Sequence, residues 1–545
     1  MKTPPSTPAP PRSIALRLAL AALVAAGALP VAGQPIPASD FDVFGENTGC
    51  AGSSLCGDFG NSPAAAGDLN GDLVPDLAIG APTVSGENPS TGRVYVFLGP
   101  IEPGLKVEDA HATITGLEFG DLVGTPRGGD FNGDGLGDLV IGARGPDIDG
   151  EILNGQVWIF YSPFAGDLSV ADADATITGE GFSELGRSVA VGDFDGDGID
   201  DVLAGASQSG SGTAHVFYGP IFGDLEGADA DAILSGTLGF EEFGESVAAV
   251  DLNGDGVDDI VAGAPGFPIE PLTAGSVFAF YGPVFGSVSS LQADVTIAGE
   301  ADNDEFGSHA AAGGDIDGDG NEDLLVGAWQ LFKNDESGRA YVFYGPLAGE
   351  LEAAQADAIL VGEPEDGGDL FGILDGAGDV DGDGFDDVLV GAQFAGDGNR
   401  GRGYVFLGPL SGEIPAAEAD WIFDAPGFDP FQGLDALGRG VGAAGDLDGN
   451  GFDDVLIGGP GSDGPGFARV VMAPGLEIDV TPPADPTLPP EGGDVVFEAV
   501  VTNTSLGART TRTWFTAAAE DGGFRVRRVP AASHLEPTSQ LSRQV

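Results

Sequence analysis

The chain has 545 residues, more than a single hydrophobic core usually organises, so several domains or a repeat array are expected. Its 87 acidic residues face only 20 lysines and arginines, and the resulting net charge of −67 excludes nucleic acid and anionic membranes as easy partners. A hydrophobic content of 42% argues for a folded chain, and 93 glycines for one rich in turns.

Residues 1–33 read as a secretory signal: Lys2, Arg12 and Arg17 lead into an apolar run from Leu18 to Leu29, and small residues follow up to Gly33. No later run reaches the roughly 20 apolar residues of a membrane span. No transmembrane anchor is therefore expected, and the mature chain is placed outside the cell, secreted or at its surface. The first strand-like phrase after the signal is "FDVF" at 41–44. Cys50 and Cys56, the only cysteines, read as a local disulfide in an exported chain. A metal pair is the weaker reading, since no nearby Cys or His completes a set.

From Gly67 an acidic phrase returns seven times, as "GDLNGDLVPDLAIGAP", then from Gly129, Gly192, Val250, Gly314, Gly378 and Gly445, with leading aspartates 58 to 67 residues apart. Each copy is preceded by Phe-Gly or Leu-Gly: Phe59-Gly60, Phe119-Gly120, Leu185-Gly186, Phe243-Gly244, Phe306-Gly307, Phe371-Gly372 and Leu437-Gly438. A strand such as "GRVYVFLGP" (92–100) follows the acidic phrase, and then another such as "ADATITG" (173–179). These are short runs bounded by Gly, Pro and Asp, without a helical period. Units of about four strands, each too small to bury its own faces, predict an all-β chain: a seven-bladed β-propeller of four-stranded blades over residues 34–475.

The order of the pieces puts the Phe-Gly strand innermost and the "ATITG" strand outermost. The seventh unit lacks a clear outer strand, and the pattern favours "FDVF" as the piece that stitches the ring shut. "LEIDV" (476–480) is the rival.

Positions 1, 3, 5 and 9 of the acidic phrase carry oxygen in every copy. They are Asp68, Asn70, Asp72 and Asp76; Asp130, Asn132, Asp134 and Asp138; Asp193, Asp195, Asp197 and Asp201; and Asp251, Asn253, Asp255 and Asp259. The last three copies supply Asp315, Asp317, Asp319 and Asp323; Asp379, Asp381, Asp383 and Asp387; and Asp446, Asp448, Asn450 and Asp454. Alternate residues of a curled loop can point into one hollow, and calcium takes six to eight oxygens at about 2.3–2.6 Å. Without a cation such a cluster repels itself. The start resembles an EF-hand loop, but position 12 holds Ile79, Ile141, Ala204, Ala262, Val326, Val390 and Ile457 where an EF-hand has a bidentate Glu. The reading is a calcium-binding β-hairpin, about seven Ca2+ ions in a structural role, weaker where Asn replaces Asp.

Phe-Gly, the D-x-[DN]-x-[DN]-G-x-x-D loop and Gly-Ala-Pro (80–82, 263–265) resemble the FG-GAP repeat of integrin α-subunit propellers and of related secreted bacterial proteins. The resemblance covers about residues 41–474 and implies seven blades, calcium hairpins on one face and ligands met by loops on the other. It suggests an adhesion or recognition module for an extracellular protein or glycan. Among the loops of that second face (82–91, 143–154, 265–274, 328–337, 392–400 and 459–465), Trp329, Phe332 and Lys333 form an aromatic and basic candidate anchor. The alternative for Trp329 is packing between blades.

Two other function classes stand beside this one: a propeller-type extracellular enzyme, such as a polysaccharide lyase or phospholipase, and a structural cell-surface component. No catalytic set is defensible, because His111, His215 and His309 each occupy a repeat position and His534 lies in the tail. A lyase acting on an acidic sugar would also need basic residues, and the chain has three lysines. After the propeller, 476–493 reads as a Pro-rich linker, and 494–545 as a partial β-sandwich-like segment running into a disordered tail that could attach the chain to the cell surface.

Overall fold

The structure, a computed structural model, describes residues 40–45 and 58–473 apart from single residues and short segments within loops. It also describes the backbone of 476–481, 495–503, 509–520 and 523–528. The signal segment, Cys50, Cys56, Phe332, Lys333 and His534 lie outside the described residues.

Residues up to Ala473 form the propeller, with seven sheets arranged as blades. The innermost strands are Ser62–Gly67, Thr125–Gly129, Val189–Gly192, Ser246–Val250, Phe306–Gly314, Phe371–Gly378 and Gly440–Gly445. Each packs beside the next, and the seventh beside the first, so the ring is closed. They are built largely from Ala, Gly, Ser and Val because seven strands must converge on one axis. The second strand of every blade, such as Asp201–Ala206, is buried along its whole length, as a strand with sheets on both sides must be.

Closure is made by the first strand. Phe41–Phe44 pairs antiparallel with Phe467–Val471 at the outer edge of blade 7, with Phe41 opposite Val470. Arg469 clamps this seam: its Nε and Nη2 donate to the two carboxylate oxygens of Asp42 at 2.8 and 3.2 Å, and its Nη1 donates to the Asp424 carbonyl of blade 6 at 2.9 Å. The rival strand, Leu476–Thr481, pairs instead with Val495–Asn503.

Two expectations are corrected. Blades 1 to 5 have five strands, not four. On the way from its third strand to its outer strand, each following unit lays a short segment parallel to the previous blade's outer strand, as Gly166–Ser169 does on Ala112–Thr115. These segments are polar and mostly exposed, so they carry no alternating signature. In blade 2 the Phe-Gly place is taken by Val123-Gly124, four residues after Phe119-Gly120. Val123 makes the bridge to Gly92 that Leu185, Phe243 and Phe306 make to Gly155, Gly212 and Gly275.

Both glycines of the repeated phrases are explained where blades touch. A Cβ on Gly458 would overlap the backbone of Gly60, and one on Gly80 that of Gly124, so the second strand of one blade meets the Phe-Gly turn of the next backbone to backbone. Inter-blade distance is set by this contact.

The tail unit, from Pro474, contains an antiparallel sheet of four strands, Leu476–Thr481, Val495–Asn503, Arg509–Glu520 and Gly523–Arg528, in sequential order. The first lies in the expected linker and the last in the expected disordered stretch. Hairpin pairing overrides their weak strand composition.

Replacing Arg469 by Ala removes the clamp and leaves the Asp42 carboxylate without its partner. This should destabilise the propeller by roughly 2 kcal/mol, and a chain starting at Gly45 should lose more. Thermal unfolding followed by circular dichroism reads both; melting at the parent temperature would show that the stitch is dispensable.

Candidate metal centre

Each acidic loop joins the inner strand of its blade to the second, so all seven loops lie at one end of the ring. The loop begins where glycine and aspartate break the inner strand. The carboxylate at position 1 then organises the turn: Asp193 Oδ1 accepts from the backbone N–H of Gly196 and Asp197 at 2.8 and 3.0 Å, and Oδ2 from Gly198 at 2.9 Å. Glycine suits both positions because Gly196 and Gly198 have φ of 77° and 86°, a conformation that among the seven loops Leu73 alone adopts without glycine, at the second of these positions in the first loop.

Position 9 is the fixed point of the motif. Asp76, Asp138, Asp201, Asp259, Asp323, Asp387 and Asp454 are all fully buried. One oxygen accepts the N–H of position 2, as from Phe194 to Asp201 at 2.8 Å, and the other an N–H at the end of the third strand, as from Gly219 at 2.6 Å. The same pair of bonds recurs in every blade, ending with Leu447 and Ala473 on Asp454 at 2.9 and 2.6 Å. Burial, reinforced by neighbouring aspartates and opposed by these backbone bonds, pushes Asp76 and Asp138 up to about 6, Asp201, Asp259 and Asp323 to about 7, and Asp454 to about 8. Asp387 is raised well above the usual carboxylate range for the same reason.

The carboxylates converge as the spacing anticipates, though not identically. Ligand oxygens lie within 4.8 Å of one another in Asp193, Asp195 and Asp197; in Asp315, Asp317 and Asp323; in Asp379, Asp381 and Asp387; and in Asp446, Asp448 and Asp454. Position 5 carboxylates also serve the turn, Asp319 and Asp383 each accepting the N–H of position 7 at 2.9 and 3.1 Å. In copies 1, 2 and 4 the position 3 side chain is an amide that donates to position 9: Asn70 to Asp76 at 3.4 Å, Asn132 to Asp138 at 3.1 Å and Asn253 to Asp259 at 3.1 Å. The amide leaves its oxygen for a cation while partly answering the buried charge itself.

The residues fit a hard cation. Four clusters offer three carboxylates each, burial and then mutual repulsion raise the position 9 carboxyls, and Asp315 Oδ1 is buried without a partner. A divalent ion bound there supplies charge neutralisation and cross-links the turn to the second strand.

The other end of the ring differs in charge. Around the axis stand Arg144, Arg187 and Arg439 with Glu184, Glu242 and Glu245. Arg187 Nη1 pairs with Glu184 at 2.8 Å and its Nη2 with Glu245 at 2.6 Å. Arg144 and Arg439 are exposed and make no ion pair among the described residues, and desolvation by the surrounding chain, followed by the charge of Arg187, pushes Arg144 down. Deeper in the channel, burial raises Asp375 to about 6 against the pull of Arg127, and lowers His309 to about 4. Trp329 stacks on His309 with centroids 5.1 Å apart; Trp329 Nε1 and His309 Nδ1 are both buried without hydrogen-bond partners. The sequence reading had the tryptophan but not the arginines, although Arg187 and Arg439 both directly follow the repeated Leu-Gly, as Glu245 follows Phe243-Gly244. His111 and His215 are structural, bonded to the Phe164 and Gly227 carbonyls at 3.0 and 2.9 Å.

Comparison with known proteins agrees with the geometry. The FG-GAP repeat pattern matches residues 59–97, 124–160, 185–217, 243–280, 306–343 and 371–406, six of the seven blades. The chain is 32% identical over 231 residues to integrin alpha-5 of Xenopus laevis, covering 41% of this chain and 20% of that protein. Over 236 residues it is 32% identical to integrin alpha pat-2 of Caenorhabditis elegans, 39% of this chain and 18% of that one. Human integrin alpha-IIb matches at 32% over 231 residues, 40% of this chain. The chain thus spans about a fifth of the length of these relatives.

The two carboxylate roles separate by mutation. Asp387→Ala strands the N–H groups of Val380 and Gly408 in the interior and should cost about 2–5 kcal/mol with or without chelator. Asp381→Asn, which removes a carboxylate raised by burial and by Asp383 and Asp379, should leave the chelated protein's melting temperature no lower than the parent's and reduce the gain on adding calcium. Equal behaviour of the two variants in chelator would remove the distinction.

Proposed function

Because the chain belongs, over its propeller, to the FG-GAP repeat family and is related to integrin alpha subunits, we propose that it is an extracellular calcium-loaded recognition module. Each acidic loop holds one Ca2+ in a structural role, and the opposite, arginine-bearing face meets a protein or glycan ligand. The observation that carries the reading is the recurrence, blade after blade, of a buried aspartate at the base of a loop crowded with carboxylates. That arrangement is costly unless a cation completes it, and cations at one end leave the other free for recognition.

Calcium is the ion that best suits this donor set. The loops offer oxygen only, from carboxylates and amides on a flexible turn, which favours a large hard cation over zinc or copper. The ligand-facing surface is read from the exposed guanidinium groups of Arg144 and Arg439 and from Trp329, whose indole N–H has no partner. The two guanidinium groups present hydrogen-bond donors at this end of the ring, while the Trp329 N–H is buried beneath it. Export through the signal segment places the chain where calcium is abundant and adhesion ligands are found. The chain's small share of its relatives' length leaves the identity of the ligand to experiment.

Two outcomes are expected. Excess chelator should lower the melting temperature strongly and calcium should restore it, since each site held at 100 times its Kd contributes about 2.7 kcal/mol. In an array of extracellular matrix proteins and glycans read by surface plasmon resonance, the calcium-loaded protein should bind a ligand that Arg144→Ala/Arg439→Ala binds at least about tenfold more weakly, with the calcium-dependent melting shift unchanged. Melting that ignores calcium would overturn the metal reading. Ligand binding indifferent to the double substitution would move the recognition surface elsewhere.

A further inference from the structure

Position 8 of the acidic loop belongs to none of the roles described so far. It is Pro75, Gly137, Asp200, Asp258, Glu322, Asp386 and Asp453 in the seven copies: an acid in five of them, beside the position 9 ligand yet outside its own loop's cluster. In every acidic case the side chain reaches back to the preceding blade and accepts the backbone N–H of position 1 there. Asp130 N–H donates to Asp200 at 2.7 Å, Asp193 to Asp258 at 2.9 Å, Asp251 to Glu322 at 3.0 Å, Asp315 to Asp386 at 2.7 Å and Asp379 to Asp453 at 3.1 Å. In four of these the position 8 N–H also donates to the position 1 carbonyl, at 3.1 to 3.3 Å.

The repeats co-vary to preserve this latch. Gly129, Gly192, Gly314 and Gly378 precede position 1 where the acid is Asp, and a Cβ on any of them would crowd that carboxylate. In the one copy where the residue is Val250, the acid facing it is Glu322, one methylene longer. Where no acid faces the site the latch is absent. Gly137 keeps only the backbone bond to Asp68, at 2.9 Å, and Pro75 has no N–H to donate to Asp446.

We propose that the position 8 acid is a positioning residue that couples the metal loops of adjacent blades, so that loops 2 to 7 load calcium as one cooperative array and loop 1 loads independently. The inference rests on the reading of the acidic loops as calcium sites. Position 1 is the loop's first ligand, and its peptide is clamped by the residue next to the following loop's position 9 ligand. Ordering either end of that short path therefore orders the other. The chain of latches runs from blade 2 to blade 7 and stops on both sides of blade 1.

The test is a calcium titration of the full chain by calorimetry, with melting in chelator as a parallel readout. The parent should show a steep main phase and a separate single-site phase. Asp258→Ala, which cuts the array in the middle, should split the main phase and raise its half-saturation concentration about tenfold, a usual size for coupling between sites. Asp258→Asn, whose amide oxygen can accept the same bond, should recover most of the steepness. Glu322→Asp should weaken coupling because the shorter acid faces Val250, and Val250→Gly/Glu322→Asp should restore it. A parent that binds no calcium would overturn the loop reading itself. A parent that binds calcium at independent sites, or an Asp258→Ala variant that titrates like the parent, would overturn the coupling alone. If Asp258→Ala fails to fold, the Glu322 pair decides: restoration supports the latch, and identical titration of single and double variants contradicts it.

Discussion

One buried aspartate per blade holds three pieces of chain together, and the rest of the molecule depends on it. Through its two oxygens, position 9 ties the start of the acidic loop to the end of the third strand, while its own backbone begins the second. Removing a charge from water in this way is expensive even with two N–H partners, and the raised pKa values of all seven positions express that cost. A hydrogen-bonded interior therefore creates the demand that the exposed part of the loop meets. The fold and the metal reading are two consequences of one side chain.

Much of this was legible before any coordinates. The period, the order of strands and the choice of Phe41–Phe44 as the closing strand follow from comparing one unit with the next, and in four loops three of the expected carboxylates converge. What escaped lies between units. The fifth strands are short polar segments that pair with the previous blade, and nothing in "GDLS" announces a partner fifty residues away. Val123-Gly124 displaced Phe119-Gly120 because the place is defined by contact with Gly92, not by an aromatic ring. Position 8 looked like one more carboxylate in an acidic phrase. Its meaning depends on an N–H 65 to 74 residues earlier, which no local spacing encodes.

Charge is distributed with the same economy. The acidic loops gather at one end, where the clusters could hold cations, while the few arginines are placed at seams and at the axis. Arg469 closes the ring, Arg402 joins Glu363 to Asp424 within 2.8 Å of each, and Arg187 bridges Glu184 and Glu245 at the channel mouth. In a chain of net charge −67, this end is mixed in charge, with Arg144, Arg187 and Arg439 set among Glu184, Glu242 and Glu245, where the loop end is almost wholly acidic. Arg469 is buried and serves the seam, whereas the more accessible pairs of Arg187 and Arg402 contribute less to stability, so their placement matters more for where a partner can approach.

The central claim is that a cation in each loop keeps its buried aspartate ionised. Its most direct test is to count metal ions on the protein, purified in calcium and passed through a metal-free desalting column, by mass spectrometry under native conditions. About seven calcium ions per chain, one for each loop by the ligand arithmetic, is the result this account predicts. A folded propeller that carries none would contradict it and leave the seven aspartates protonated or held by backbone alone.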